Sequence, residues 1–289
     1  MAVLRALPSA RELVLPRRGR TWVYDSGEPP GDGGRPLLLL HGWTSTAALN
    51  FYRCFPDLSE QYRVVALDQR GHGRGLRSRL PFRLEDCADD AAAVVETLGL
   101  GPCTVVGYSM GGPVAQLMWR RHPETVGALV LCATAARFPI RQFNGAVGVL
   151  VAGGAAALSL VPIPLRRSGM SYLTARWTAN EGAAGWATEE WSRHDPTALV
   201  QAGVAISRFD STGWIGGVDV PTAVVVTEQD KTVPPGRQRF LAEAIPGAVA
   251  FPVDSDHRAV ADTPELFVPA LLSACEWVSG RGPAEQVSR

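Results

Sequence analysis

Cysteine is scarce in this chain and poorly spaced for structural use. The 289 residues include five, Cys54, Cys87, Cys103, Cys132 and Cys275, with no C-x-x-C pair and no histidine at zinc-finger spacing. This excludes a disulfide framework or a zinc site as the organising device, and no metal is expected. Cys103 and Cys132 fall inside apolar runs, as reduced, buried thiols do. Net charge is missing too: 28 basic residues balance 28 acidic ones, with no polybasic block. A nucleic-acid partner needs a cationic face and is excluded on that ground. Between Met1 and Leu15, Arg5 and Arg11 break up any apolar stretch of signal-peptide length. Together with the reduced thiols, this predicts a cytoplasmic location.

The chain does have regular alternation. Apolar, β-rich runs occur at Pro36 to Leu40, Arg63 to Leu67, Cys103 to Val106, Ala128 to Cys132, Thr222 to Thr227 and Ala248 to Val253, with helical patterns between them. Uninterrupted apolar runs suit parallel strands that are covered on both faces. Upstream, Arg11 to Leu15 and Thr21 to Tyr24 flank Pro16-Arg17-Arg18-Gly19-Arg20 and read as a hairpin at the sheet edge. The expected class is α/β: a mostly parallel eight-stranded sheet with helices on both faces.

Between Ala133 and Thr222 the alternation stops for longer than a strand-to-helix connection needs, which predicts a helical cap inserted between strands 6 and 7. The expected division is 1–135 for the first part of the core, 136–205 for the cap and 206–289 for the second part of the core. Gln142 to Leu165 carries no charge, but glycine and proline dilute it: Gly145, Gly148, Gly153, Gly154, Pro162 and Pro164. That composition favours a lid over an apolar pocket; contact with a membrane surface stays open as an alternative, and a true span is disfavoured. Trp177, Trp186 and Trp191 also fall in the cap, where packing and substrate contact are equally good readings.

Gly107-Tyr108-Ser109-Met110-Gly111 lies between the run at Cys103 and a helical pattern with Pro113 in its first turn. In that strand-to-helix context G-x-S-x-G places a serine nucleophile, Ser109, on a sharp turn. A serine hydroxyl needs a base to accept its proton and an acid to orient the base. In this architecture they follow in the order serine, acid, histidine, which leaves His194 in the cap and His257 after the last strand run. Parallel strands deliver their carboxyl ends to one sheet edge, so His257 is the candidate base. On the same edge Asp230, after Thr222 to Thr227, is the candidate acid, with Glu228 as its rival; Asp254 and Asp256 read as turn residues. The oxyanion needs two backbone donors: the Met110 amide, next to the nucleophile, and the Trp43 amide in His41-Gly42-Trp43. His72, in Asp68-Gln69-Arg70-Gly71-His72-Gly73, reads as structural.

This set of motifs, H-G-W, D-Q-R-G-H-G and G-Y-S-M-G-G with Asp230 and His257, resembles the α/β-hydrolase fold family, in its serine-nucleophile, esterase- and lipase-like branch. The resemblance implies Ser109 as nucleophile, Asp230 as acid, His257 as base, and the Trp43 and Met110 amides as oxyanion hole, with no cofactor. Two positions depart from the family pattern: Thr227, where many members have glycine, and Asp254-Ser255-Asp256, where members commonly have a small segment. The expected reaction is hydrolysis of a small carboxylic ester with a hydrophobic acyl or alcohol part, through an acyl-enzyme. Thioester hydrolysis and cofactor-free haloperoxidase or perhydrolase chemistry use the same triad and are the enzymatic alternatives. A non-catalytic small-ligand receptor built on the same pocket is the alternative from another class. Oligomeric state is not legible.

Overall fold

A computed structural model describes residues 7–28, 34–138 and 181–280. Eight strands form one sheet in the order β1-β2-β4-β3-β5-β6-β7-β8: β1 Arg11–Leu15, β2 Gly19–Asp25, β3 Leu37–Leu40, β4 Val64–Leu67, β5 Cys103–Tyr108, β6 Val126–Cys132, β7 Thr222–Thr227 and β8 Val249–Val253. β1 pairs antiparallel with β2, and β2 antiparallel with β4; every pairing from β4 across to β8 is parallel. The α/β class, the mostly parallel sheet and the edge hairpin are therefore as expected.

The apolar runs are continuous because both sheet faces are covered. In β3, Leu38 and Leu40 face one core, with Val65, Leu67 and Val105, while Leu37 and Leu39 face the other, with Val64, Ala66 and Val106. All four β3 leucines are fully buried, each contributing about 1.5–3 kcal/mol relative to exposure. The first core is closed by helices α3 (Leu84–Leu98) and α4 (Gly111–Arg121). Short α1 (Ala47–Phe51) and α2 (Phe55–Ser59) close the second from the other side. β8 lies at the sheet edge with only Val253 buried, so the missing amide of Pro252 breaks no ladder needed by a further strand.

Two helices of the insertion between β6 and β7 are described, α5 (Glu181–Ser192) and α6 (Pro196–Arg208). The Asp195 carboxylate caps α6 by accepting from the Thr197 amide at 2.9 Å, and Pro196 opens its first turn. α6 runs to Arg208, past the boundary expected at 205. The uncharged segment Gln142 to Leu165 and Trp177 lie outside the described residues, as does most of the expected cap. Among the described residues no helix is long and apolar enough to cross a membrane. Beyond β7 come α7 (Pro235–Ala244), α8 (Ala259–Asp262) and α9 (Pro264–Val278), and α9 packs Phe267, Leu271 and Cys275 onto the second core. All five cysteines are buried and outside any disulfide.

Candidate active site

β5 ends at Tyr108 and α4 begins at Gly111, so the chain must reverse within two residues. Ser109 makes the bend with φ = 51°, a left-handed conformation that a side-chain-bearing residue adopts only under local constraint. Its amide donates to the Cys132 carbonyl at 2.9 Å, and its carbonyl accepts from the Gly112 amide at 2.9 Å and the Thr134 hydroxyl at 2.8 Å. The flanking glycines follow from close approach: a Cβ on Gly107 would stand 2.5 Å from the Gly111 carbonyl oxygen, and one on Gly111 would overlap the Leu40 carbonyl.

Asp230 and His257 reach Ser109 from the loops after β7 and β8. His257 Nε2 is 3.0 Å from Ser109 Oγ, and its Nδ1 is 2.7 Å from Asp230 Oδ2. The Asp230 side chain is fully buried, whereas that of His257 keeps 21% of its surface accessible. Burial alone would raise the Asp230 carboxyl. The hydrogen bond and charge of His257, with the Val233 amide and the Thr227 hydroxyl, outweigh it and hold the group below its ordinary value. Oδ1 accepts from the Thr232 and Val233 amides, each at 2.8 Å. The rival acid, Glu228, instead pairs with Arg239 on the exposed side of the loop.

The His257 loop is tied down from both ends. Tyr108 donates its hydroxyl to the His257 carbonyl at 2.8 Å, and the Gln229 amide donates to the Ser255 carbonyl at 2.9 Å. Burial raises the Tyr108 phenol well above its ordinary value, so it remains a donor. Asp256 accepts from the Arg258 amide at 2.8 Å, a turn role, whereas Asp254 accepts from Gln229 Nε2 at 2.9 Å, across to the loop after β7.

Around the candidate oxyanion donors, the Gly42 amide donates to Asn50 Oδ1 at 2.7 Å, which fixes the loop carrying Trp43. Trp43 Nε1 donates to the Leu199 carbonyl in α6, and Trp191 Nε1 from α5 donates to the Thr44 carbonyl, each at 2.8 Å. Two indoles thus bind the insertion and the loop to each other. Trp186 packs edge-on against Tyr52.

His41, His72 and His194 are occupied elsewhere. His41 Nε2 accepts from the Gln69 amide at 2.9 Å, His72 Nδ1 meets the Arg70 carbonyl at 3.0 Å, and His194 Nδ1 accepts from the Gly73 amide at 3.0 Å. Burial lowers His41 to about 4 and His72 to about 3, and holds His194 well below its ordinary value. In the D-Q-R-G-H-G loop, Asp68 accepts from the Ala47 and Arg74 amides at 2.9 and 2.8 Å, which is a structural use.

Sequence reading did not single out Asn50 and Gln238 for the site, and it took Tyr108 only as a motif filler. A polar residue in a helical pattern reads as solvent-facing, so neither Asn50 nor Gln238 carries a local signal; the aromatic ring before the nucleophile is the only cue to Tyr108. Thr227 was visible, as a departure from the family pattern.

The α/β hydrolase fold profile matches residues 35–161. Among characterised relatives, the pimeloyl-[acyl-carrier protein] methyl ester esterase of Chromobacterium violaceum is 28% identical over 250 residues, 84% of this chain and 95% of that protein. The poly(3-hydroxyalkanoate) depolymerase of Ectopseudomonas oleovorans is 26% identical, over 82% of this chain and 83% of its own length. In three dimensions the chain is similar to the enol-lactonase of Burkholderia xenovorans, with a TM-score of 0.72 at 22% identity, over 92% of this chain and 99% of that one. Sheet order, strand-to-helix serine turn and profile agree on an α/β hydrolase fold for this chain.

Proposed function

We propose that this protein is a serine hydrolase of carboxylic esters that works through an acyl-enzyme. The observation that carries this reading is the unbroken hydrogen-bonded line from Ser109 Oγ to His257 Nε2 at 3.0 Å and from His257 Nδ1 to Asp230 Oδ2 at 2.7 Å. Ser109 Oγ attacks the ester carbonyl carbon as His257 Nε2 takes its proton. Asp230 holds the imidazole in the tautomer that accepts at Nε2 and stabilises the imidazolium formed. The carbonyl electron pair moves onto oxygen, where the Trp43 and Met110 amides receive it. As the carbonyl re-forms, the alkoxide leaves with the proton from His257. Water then repeats the sequence on the acyl-enzyme and releases the acid.

The names of the relatives support the bond type: a methyl ester in one case, a polyester in the other. The apolar composition of the insertion supports a small ester with a hydrophobic acyl or alcohol part, with residues 136–205 acting as a cap over the site. The five buried thiols suit a reducing, cytoplasmic setting.

The test is labelling with a fluorophosphonate, followed by turnover of p-nitrophenyl esters of increasing acyl length. Sustained turnover and a single adduct on Ser109 are expected. One stoichiometric release without turnover would favour a receptor, and faster transfer to hydrogen peroxide than to water would favour a perhydrolase.

A further inference from the structure

Asp230 is held by a second layer of polar groups that the triad alone does not require. Thr227 Oγ1 lies 2.9 Å from Asp230 Oδ2, on the carboxylate oxygen that meets His257. Behind Thr227 stands Gln238, in α7, with its side chain completely buried. The Thr227 amide donates to Gln238 Oε1 at 3.0 Å, which fixes the orientation of the side-chain amide and leaves Nε2 as a donor only. Nε2 has two protons. One goes to the Val233 carbonyl at 2.7 Å; the other faces Thr227 Oγ1 at 2.8 Å and, at longer range, Asp230 Oδ2 at 3.2 Å.

Proton counting sets the direction of the chain. The Thr227 hydroxyl has one proton and two acceptors near it, Asp230 Oδ2 at 2.9 Å and Gln238 Oε1 at 3.3 Å. The charged and nearer acceptor wins. Thr227 then accepts from Gln238 Nε2 and donates to Asp230, so the order is Gln238 to Thr227 to Asp230, with His257 on the far side of the carboxylate. Each bond in such a series polarises the next. A glycine at 227 would supply no hydroxyl, and one Gln238 proton would lose its nearest acceptor.

We infer that Thr227 and Gln238 are positioning residues that aim the Asp230 carboxylate at His257 and moderate its charge; this rests on the triad reading above. Their donors share the charge of Asp230 Oδ2, the oxygen that faces His257, and so reduce what the imidazole meets. Removing them concentrates that charge on the imidazole, so the base binds its proton more tightly and gives it up less readily. The carboxylate also loses the bond that keeps it from rotating.

Thr227→Val preserves shape and removes the hydroxyl; Thr227→Ser keeps the hydroxyl. With p-nitrophenyl esters, Thr227→Val is expected to lower kcat by about ten- to a hundredfold, as for a hydrogen bond to a charged group, with KM little changed. It should also move the acidic limb of the kcat/KM profile to higher pH. Thr227→Ser should restore both. Gln238→Met, which fills the space without a donor, should show the same two changes more weakly and serves if Thr227→Val does not fold. Unchanged kcat and limb in the folded variants, or a serine variant that behaves like valine, would overturn the inference. Ser109→Ala separates the two layers of the argument: retained turnover and labelling there would overturn the hydrolase reading, whereas their loss beside an unaffected Thr227→Val would remove only the relay.

Discussion

Ser109 and His257 share one proton in the proposed reaction, so removing either should disable the same step. Ser109→Ala is expected to lower turnover by up to about a millionfold, and His257→Ala by nearly as much, with the melting temperature of each close to that of the parent. His194→Ala and His72→Ala should leave the chemical step in place; single-turnover acylation rates distinguish this from loss of stability. A near-total loss in folded His194→Ala would move the base into the insertion. At this scale the candidate triad was legible because its three members are tied to element ends: a glycine-flanked serine after one strand run, and an aspartate and a histidine after two others. Gln238 was not. It stands eleven positions beyond Thr227, on a helix whose pattern gives no sign that this amide faces inward.

Strand runs such as Leu37–Leu40 and Thr222–Thr227 were readable as elements because every residue in them is buried, a pattern that a one-sided helix or an exposed loop does not produce. The ends were less readable. β5 runs to Tyr108 and β2 starts at Gly19, because ladder partners rather than side-chain character decide where pairing stops. Contacts between distant elements left no trace in the sequence. The two indole bonds join residues 147 and 156 positions apart, and the sequence left Trp191 open between packing and substrate contact. One of those bonds yields a prediction about elements. Trp191 on α5 holds the Thr44 carbonyl, next to the amide proposed as an oxyanion donor, and Thr44 sits at a left-handed φ of 58°. Trp191→Phe keeps the ring and drops the donor. We expect kcat to fall by about two- to tenfold, the range for one neutral hydrogen bond, with KM less affected. Equal loss of kcat for good and poor leaving groups would place the effect at the oxyanion rather than at proton transfer to the departing group.

For the molecule as a whole, pH should act first through imidazoles remote from the proposed chemistry. His41, His72 and His194 form a buried row between the β3 loop, the β4 loop and the insertion, with ring centroids 5.3 Å apart for the first pair and 5.4 Å for the second. Unfolded, each takes up a proton near its ordinary value of 6.5; folded, burial holds His41 to about 4 and His72 to about 3. Between those limits the unfolded chain binds more protons than the native one, so stability rises with pH across the window. The contribution is fully present above about 6.5 and is lost as pH falls toward 4 and then 3. Asp230, Asp25 and Asp89, all held below the ordinary carboxylate value, add to the loss at the acid end of the same range. Asp68, raised by burial, works against them. The melting temperature should therefore fall as pH is lowered from about 6.5 toward 5, before the carboxylates held below their ordinary value begin to titrate. His72→Asn keeps a side-chain N–H where Nδ1 meets the Arg70 carbonyl and cannot take up a proton. Its melting temperature should fall less steeply over that interval than the parent's. Parallel slopes for the two proteins would show that His72 is not among the groups that drive the acid transition, and would shift the assignment to His41 and His194.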